Sequence, residues 1–217
     1  MNPDFWHQRW RENRIGFHRS DVNPHLLQFL SPMLDAPVRI FAPLCGKSVD
    51  LAWFVAHGHD VVGVDVSEIA VRSFSSEQGI AMRLDSDPPF QVYRGESLTY
   101  YVGDIFDLQP GQIGKFDWIY DRAALIALPP DTRQNYAQHL KTFLKPGGRI
   151  FLVTVEYDQK KMDGPPFSVP ESEVRDLYSD FAIELLHSHD CLEEEPQFKA
   201  RGLDWMKETV FDCRRGL

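Results

Sequence analysis

VRIFAPLCGKSVDLAWFVAHGHDVVGVD, residues 38–65, is the stretch that decides the fold. Val38 to Ala42 is a short apolar run with β-branched and aromatic side chains, closed by Pro43 and the turn at Gly46, and it predicts a buried strand. Ser48 to His57 carries helical periodicity, with Gly58 just past its end. His59 to Asp65 is a second β-branched run. Ser67, followed by Glu68 to Glu77, then supplies an N-cap and the next helix. Strand, helix, strand and helix in this order build a parallel α/β sheet, which takes ligands at the carboxyl ends of its strands.

Working outward, Phe5, Trp6 and Trp10 fall near i and i+4 spacing between Asp4 and Asn13, the pattern of an amphipathic helix with an aromatic side. A second helix is predicted after Pro24. Phe90–Tyr93 and Leu98–Val102 form strands around an Arg94-Gly95-Glu96-Ser97 turn, and Asp87-Pro88-Pro89-Phe90 is a loop. Phe116–Tyr120 is a further strand and Asp131–Leu144 a helix. Lys145-Pro146-Gly147-Gly148 makes a sharp stop before the strand Arg149–Val155. A helix near Glu171–Tyr178 and β-rich stretches near Ile183–His187 and Glu208–Cys213 complete the sheet edge. One domain, 1–217, accounts for the whole length, with residues 1–30 as a helical lid.

Composition narrows the function. Lys and Arg number 23 against 32 Asp and Glu, a formal charge of −9, and basic residues cluster only as pairs, so a nucleic-acid partner is disfavoured. The three cysteines, Cys45, Cys191 and Cys213, are far apart, and no histidine pair has H-x-x-x-H spacing, so neither a disulfide framework nor a metal site is expected. No signal peptide and no long apolar run is present, which points to a cytoplasmic protein without a membrane span. No exposed apolar stripe stands out, and a monomer is expected.

The loop Pro43-Leu44-Cys45-Gly46-Lys47-Ser48 lies between the first strand and its helix, where cofactors bind. A P-loop needs glycine where Phe41 stands, and dinucleotide binding needs more glycines than Gly46 alone. A cofactor without phosphates, S-adenosylmethionine, asks less of the backbone. Asp65 ends the second strand, placed to accept hydrogen bonds from ribose hydroxyls; the alternative is an N-cap or turn aspartate. Asp104 ends the next strand and is placed to accept from an adenine amino group with Ile105 against the ring, or serves only a turn. Arg122, after Asp121, reaches toward the cofactor carboxylate or the substrate, unless it is a surface arginine paired with Asp121. Gly164-Pro165-Pro166-Phe167 reads as a rigid lid segment.

Trp6 to Trp10, Gly16-Phe17-His18, Pro43-Leu44-Cys45-Gly46-Lys47-Ser48, Val61-Val62-Gly63-Val64-Asp65, Gly114-Lys115-Phe116-Asp117, Asp121-Arg122 and Gly164-Pro165-Pro166-Phe167 together resemble the thiopurine S-methyltransferase family in its bacterial branch. The resemblance spans nearly the whole chain. It implies a Rossmann-like class I methyltransferase fold, with Trp10, Leu44, Asp65 and Arg122 contacting S-adenosylmethionine and Asp104 and Ile105 beside the adenine. It further implies that Phe17 and Arg201 face the acceptor; because a nearby guanidinium favours a thiolate, Arg122 and Arg201 are the expected catalytic residues in place of a general base. The acceptor implied is a small aromatic or heterocyclic thiol, with selenium and tellurium species methylated in detoxification. The acid after Val-Val-Gly-Val is typically glutamate in that family, so Asp65 is one methylene shorter. Arg201 has a second reading, an ion pair with Glu193 to Glu195. The rival functions are a P-loop NTPase and a sensor that binds S-adenosylmethionine without turnover.

Overall fold

The computed structural model describes residues 3–216; Met1 and Asn2 of the expected lid lie outside them. The chain forms two compact units, one ending at Tyr120 and the other beginning at Asp121.

The first unit contains α1 (Pro3–Arg11), β1 (Arg39–Pro43), α2 (Val49–Ala56), β2 (Asp60–Asp65), α3 (Glu68–Gln78), β3 (Arg83–Asp87), β4 (Phe90–Arg94), β5 (Leu98–Val102), α4 (Pro110–Ile113) and most of β6 (Phe116–Arg122). Parallel pairing joins β1 to both β2 and β6, and β2 to β5. Strands β1 and β2 are buried along nearly their whole length, which explains why they read as continuous apolar runs and not as alternating ones. Because these strands run the same way, the Pro43–Ser48 loop, Asp65 and Asp104 all emerge at one end of the sheet.

The hairpin β4–β5 forms as expected. Its neighbour β3 was not predicted: Arg-Leu-Asp-Ser-Asp has no apolar alternation. It pairs antiparallel with β4 through the Pro88-Pro89 turn as a charged edge strand, with Arg94 bound to Asp85. The helix expected after Pro24 is a π-helical turn, Leu26–Leu30, followed by a 3-10 turn, Ser31–Met33. Asn23 Oδ1 caps its start by accepting from the amides of His25 and Leu26. Pro32, with no N–H to give, stops regular α-helix from continuing.

The second unit contains α5 (Pro130–Lys141), β7 (Leu144–Glu156), α6 (Glu171–Leu177), β8 (Phe181–Asp190), α7 (Pro196–Lys199) and β9 (Lys207–Arg215), with β9 antiparallel to both β7 and β8. Lys145 to Gly148 does not stop the chain before a strand, as expected from its composition, but lies inside β7. Gly147 takes a φ of 71° and its amide still donates to Gly216 O, so the glycines bend the strand without ending its pairing. Among the described residues no helix is long and apolar enough to cross a membrane.

Candidate active site

The Pro43–Ser48 loop is held on every side. Cys45 N–H donates to Val64 O (3.1 Å) and Ser48 N–H to Cys45 O (3.1 Å). Gly46 N–H donates to Asp65 Oδ2 (3.0 Å), and Tyr100 OH donates to Gly46 O (2.7 Å). Gly46 has a φ of 52°, and a Cβ there would come within 3.1 Å of the Trp10 indole. Trp10 is buried and meets Phe17 edge to face at 5.8 Å, and Phe17 meets Trp6 in the same way at 5.7 Å. The structure thus gathers Trp10, Phe17, Leu44 and Asp65, four of the expected site residues, around one turn.

Leu44 has a φ of 46°, a conformation that a branched side chain rarely adopts and that persists only where its surroundings enforce it. Among the described residues only Asn13 and Ala123 share it outside glycine, and Ala123 directly follows Arg122. Both strained leucine and alanine therefore sit where a strand gives way to a candidate functional loop.

Asp65 fills the turn role that stood as its alternative reading. Its Oδ2 takes the Gly46 amide, and its Oδ1 takes the Ser67 amide (3.0 Å). Each oxygen retains acceptor capacity. Burial pushes its carboxyl up to about 6, against the pull of those amide donors. Ser67 stands at the N-cap of α3, and its side chain makes no capping bond. Asp104 follows β5 and caps the 3-10 turn Ile105–Asp107, accepting from Phe106 N–H (3.1 Å). Ile105 is fully buried, leaving its side chain no exposed surface.

The P-loop alternative does not survive. Phe41 is buried within β1, the Gly46 amide is committed to Asp65, and Lys47 Nζ is bound to both carboxylate oxygens of Glu77 (2.7 and 2.9 Å). Ser48 Oγ instead bonds Asp50 Oδ2 (3.0 Å). Asp50 is itself buried and also accepts from Tyr120 OH (2.9 Å) and Asn23 N–H (2.8 Å), fixing the start of α2.

In the second unit, Asp121 is fully buried and accepts from Leu125 N–H (3.0 Å) and Tyr136 OH (2.9 Å). Burial raises its carboxyl to about 6. Those oxygens hold the turn that follows Arg122, so Asp121 brackets the Arg122–Leu125 segment. Gly164 to Phe167 is tied down by Phe167 N–H on Ile126 O (2.7 Å) and Tyr157 OH on Pro166 O (2.6 Å). Arg201 is exposed on the turn after α7. Burial raises the Tyr157 phenol, while Gln159 and then the charges of Arg201 and Arg133 act the other way, so Arg201 is felt at Tyr157. Of the acidic run, Glu193 pairs with Lys199 and Glu194 faces His189.

Sequence reasoning missed Tyr100, Asp50 and Asn23. A tyrosine on a central strand was the available signal, since a buried phenol needs a hydrogen-bond partner.

The sequence model of the family described as thiopurine S-methyltransferase matches residues 1–216. The chain belongs to the thiopurine S-methyltransferase family. It is 46% identical over 218 residues to the thiopurine S-methyltransferase of Pseudomonas paraeruginosa, covering 100% of both chains. In structure it is similar to the 1,6-didemethyltoxoflavin-N1-methyltransferase of Burkholderia thailandensis, crystallised with S-adenosylhomocysteine, at a TM-score of 0.66, 20% identity and 99% and 87% coverage. It is equally similar to the magnesium protoporphyrin IX methyltransferase of Synechocystis, solved with its methyl donor bound, at a TM-score of 0.66, 15% identity and 99% and 97% coverage. This thiopurine S-methyltransferase family member is accordingly an α/β methyltransferase that depends on S-adenosylmethionine.

Proposed function

We propose that this enzyme transfers the methyl group of S-adenosylmethionine to a small aromatic or heterocyclic thiol. The observation that carries the reading is the Trp10–Phe17 aromatic pair laid over the Gly46 turn next to the buried Asp65 carboxylate. An apolar aromatic wall beside a polar loop suits an adenosyl cofactor and a flat, soft acceptor. Selenium and tellurium species, methylated in detoxification, are a second acceptor class that the family resemblance suggests. In this reading the chain acts as one cytoplasmic, monomeric methyltransferase domain with residues 1–30 as its lid, and it has no metal or nucleic-acid partner.

The residues present fit the cofactor. Trp10 and Leu44 would contact its apolar parts, Asp65 its ribose, and Asp104 its adenine amino group, with buried Ile105 anchoring the Asp104 turn. Bound there, S-adenosylmethionine supplies an electrophilic methyl on a sulfonium. The chain's own contribution is mainly alignment and exclusion of water. Phe17 would face the acceptor. Arg122 and Arg201 would favour the ionised thiolate over the thiol, because a nearby guanidinium stabilises the anion, and no separate general base is then needed.

The test incubates the protein with methyl-labelled S-adenosylmethionine and an aromatic thiol, then with selenite or tellurite, and measures labelled product and S-adenosylhomocysteine. Label on the thiol is the expected result. Cofactor binding with no label on any acceptor would remove the thiol assignment.

A further inference from the structure

We infer that Tyr100 is a positioning residue for the cofactor loop: it locks the Gly46 peptide before S-adenosylmethionine arrives. This rests on the loop's being the cofactor site.

Tyr100 is fully buried on β5, and its register partner across the parallel β2–β5 pair is Gly63. The ring lies over Gly63, where a Cβ would stand 3.4 Å from Tyr100 Cδ2, in ordinary van der Waals contact. The phenol thereby reaches past β2 to donate to Gly46 O at 2.7 Å. On the other side of the same residue, Asp65 takes the Gly46 amide at 3.0 Å. Gly46 is thus gripped at its N–H and its C=O by two buried side chains from neighbouring strands. Two residues earlier stands Leu44, whose φ of 46° needs such enforcement. The cost of ordering the loop is met once, in folding, and not again at each binding event.

A loop that holds the cofactor equally in ground and transition states changes KM and leaves kcat in place. The experiment compares wild type with Tyr100→Phe, which keeps the ring and deletes the donor. Tyr93→Phe is the control; its hydroxyl bonds Glu68 on α3 at 2.6 Å, away from the loop. For Tyr100→Phe, the Kd for S-adenosylhomocysteine and the KM for S-adenosylmethionine should rise about three- to tenfold, with kcat within about twofold of wild type. Tyr93→Phe should leave both constants unchanged even where its Tm falls. Unchanged binding in Tyr100→Phe, or an equal loss in Tyr93→Phe, would overturn the assignment. Should Tyr100→Phe not fold, solvent exchange of the Tyr100 hydroxyl proton of the wild type, followed by NMR, decides, because that proton is the one given to Gly46 O. Protection already present in the free protein supports the lock, while protection that arises only on adding S-adenosylhomocysteine refutes it. Wild type that binds no S-adenosylhomocysteine would overturn the cofactor reading of the loop and this inference with it, an outcome distinct from a loop that binds but is not held by Tyr100.

Discussion

Gly63→Ala should damage the cofactor loop from beneath, and a second substitution should repair it. A Cβ at position 63 would stand 2.8 Å from Cys45 Sγ, 3.4 Å from Tyr100 and 3.7 Å from Leu51 Cδ1. Unstrained carbon contacts begin near about 3.5 Å, so the clash with the sulfur is severe. Cys45 cannot retreat easily, because its amide is tied to Val64 O at 3.1 Å. Overpacking of this kind costs about 1–3 kcal/mol. For a chain of this size that is a Tm loss of about 2–4 °C per kcal/mol. Because Cys45 is next to Gly46, the KM for S-adenosylmethionine should rise as well. Cys45→Ala removes the sulfur that clashes, so Gly63→Ala/Cys45→Ala should be more stable than the sum of the single losses by about 1 kcal/mol or more. Urea unfolding of the four proteins measures the cycle. Additivity within about 0.5 kcal/mol, the usual result for sites that do not touch, would refute the argument.

Other predictions follow from the buried carboxyls and the charged loop residues. Asp65 must be ionised to accept from both amides, and burial lifts its carboxyl to about 6, so S-adenosylmethionine affinity measured by titration should be flat above neutrality and fall below pH 6; Asp65→Asn should bind weakly at both ends. Asp121 is also raised to about 6, and the sign for stability is the reverse of a salt-bridged acid: its contribution is fullest below the unfolded carboxylate range of about 4 and is lost as pH rises through 6. Asp121→Asn should therefore compare more favourably with wild type at pH 7.5 than at pH 4 in urea melts, by up to about 3 kcal/mol. Lys47→Ala should leave the KM for S-adenosylmethionine within about twofold, since its partner Glu77 is half-exposed and such pairs contribute little; ATP with magnesium should bind neither protein. Arg122→Ala should slow transfer to a high-pKa thiol more than to one already ionised, and equal losses on both would remove Arg122 from thiolate stabilisation.

The sequence alone determined the alternation of strands and helices from Arg39 to Gln78, because each element there buries an apolar run marked off by the Gly46 turn, the stop at Gly58 and the N-cap Ser67. Motifs whose residues lie close together along the chain, with the family resemblance they carry, also singled out Trp10, Leu44 and Asp65, which the structure places around the Gly46 turn. The sequence failed at β3, where a charged edge strand has no apolar period to reveal it, and at Lys145–Gly148, where proline and glycine bend a strand whose pairing they were expected to end. Tertiary structure alone decided that Asp65 spends both oxygens on backbone amides, that Asp121 brackets the turn after Arg122, and that Tyr100 reaches Gly46 O from two strands away. The physical reason is range. Apolar periodicity and turn chemistry act over a few neighbouring residues and leave a trace in the sequence. The partner of a buried polar group is chosen by sheet register, which in the case of Tyr100 spans 54 residues of chain.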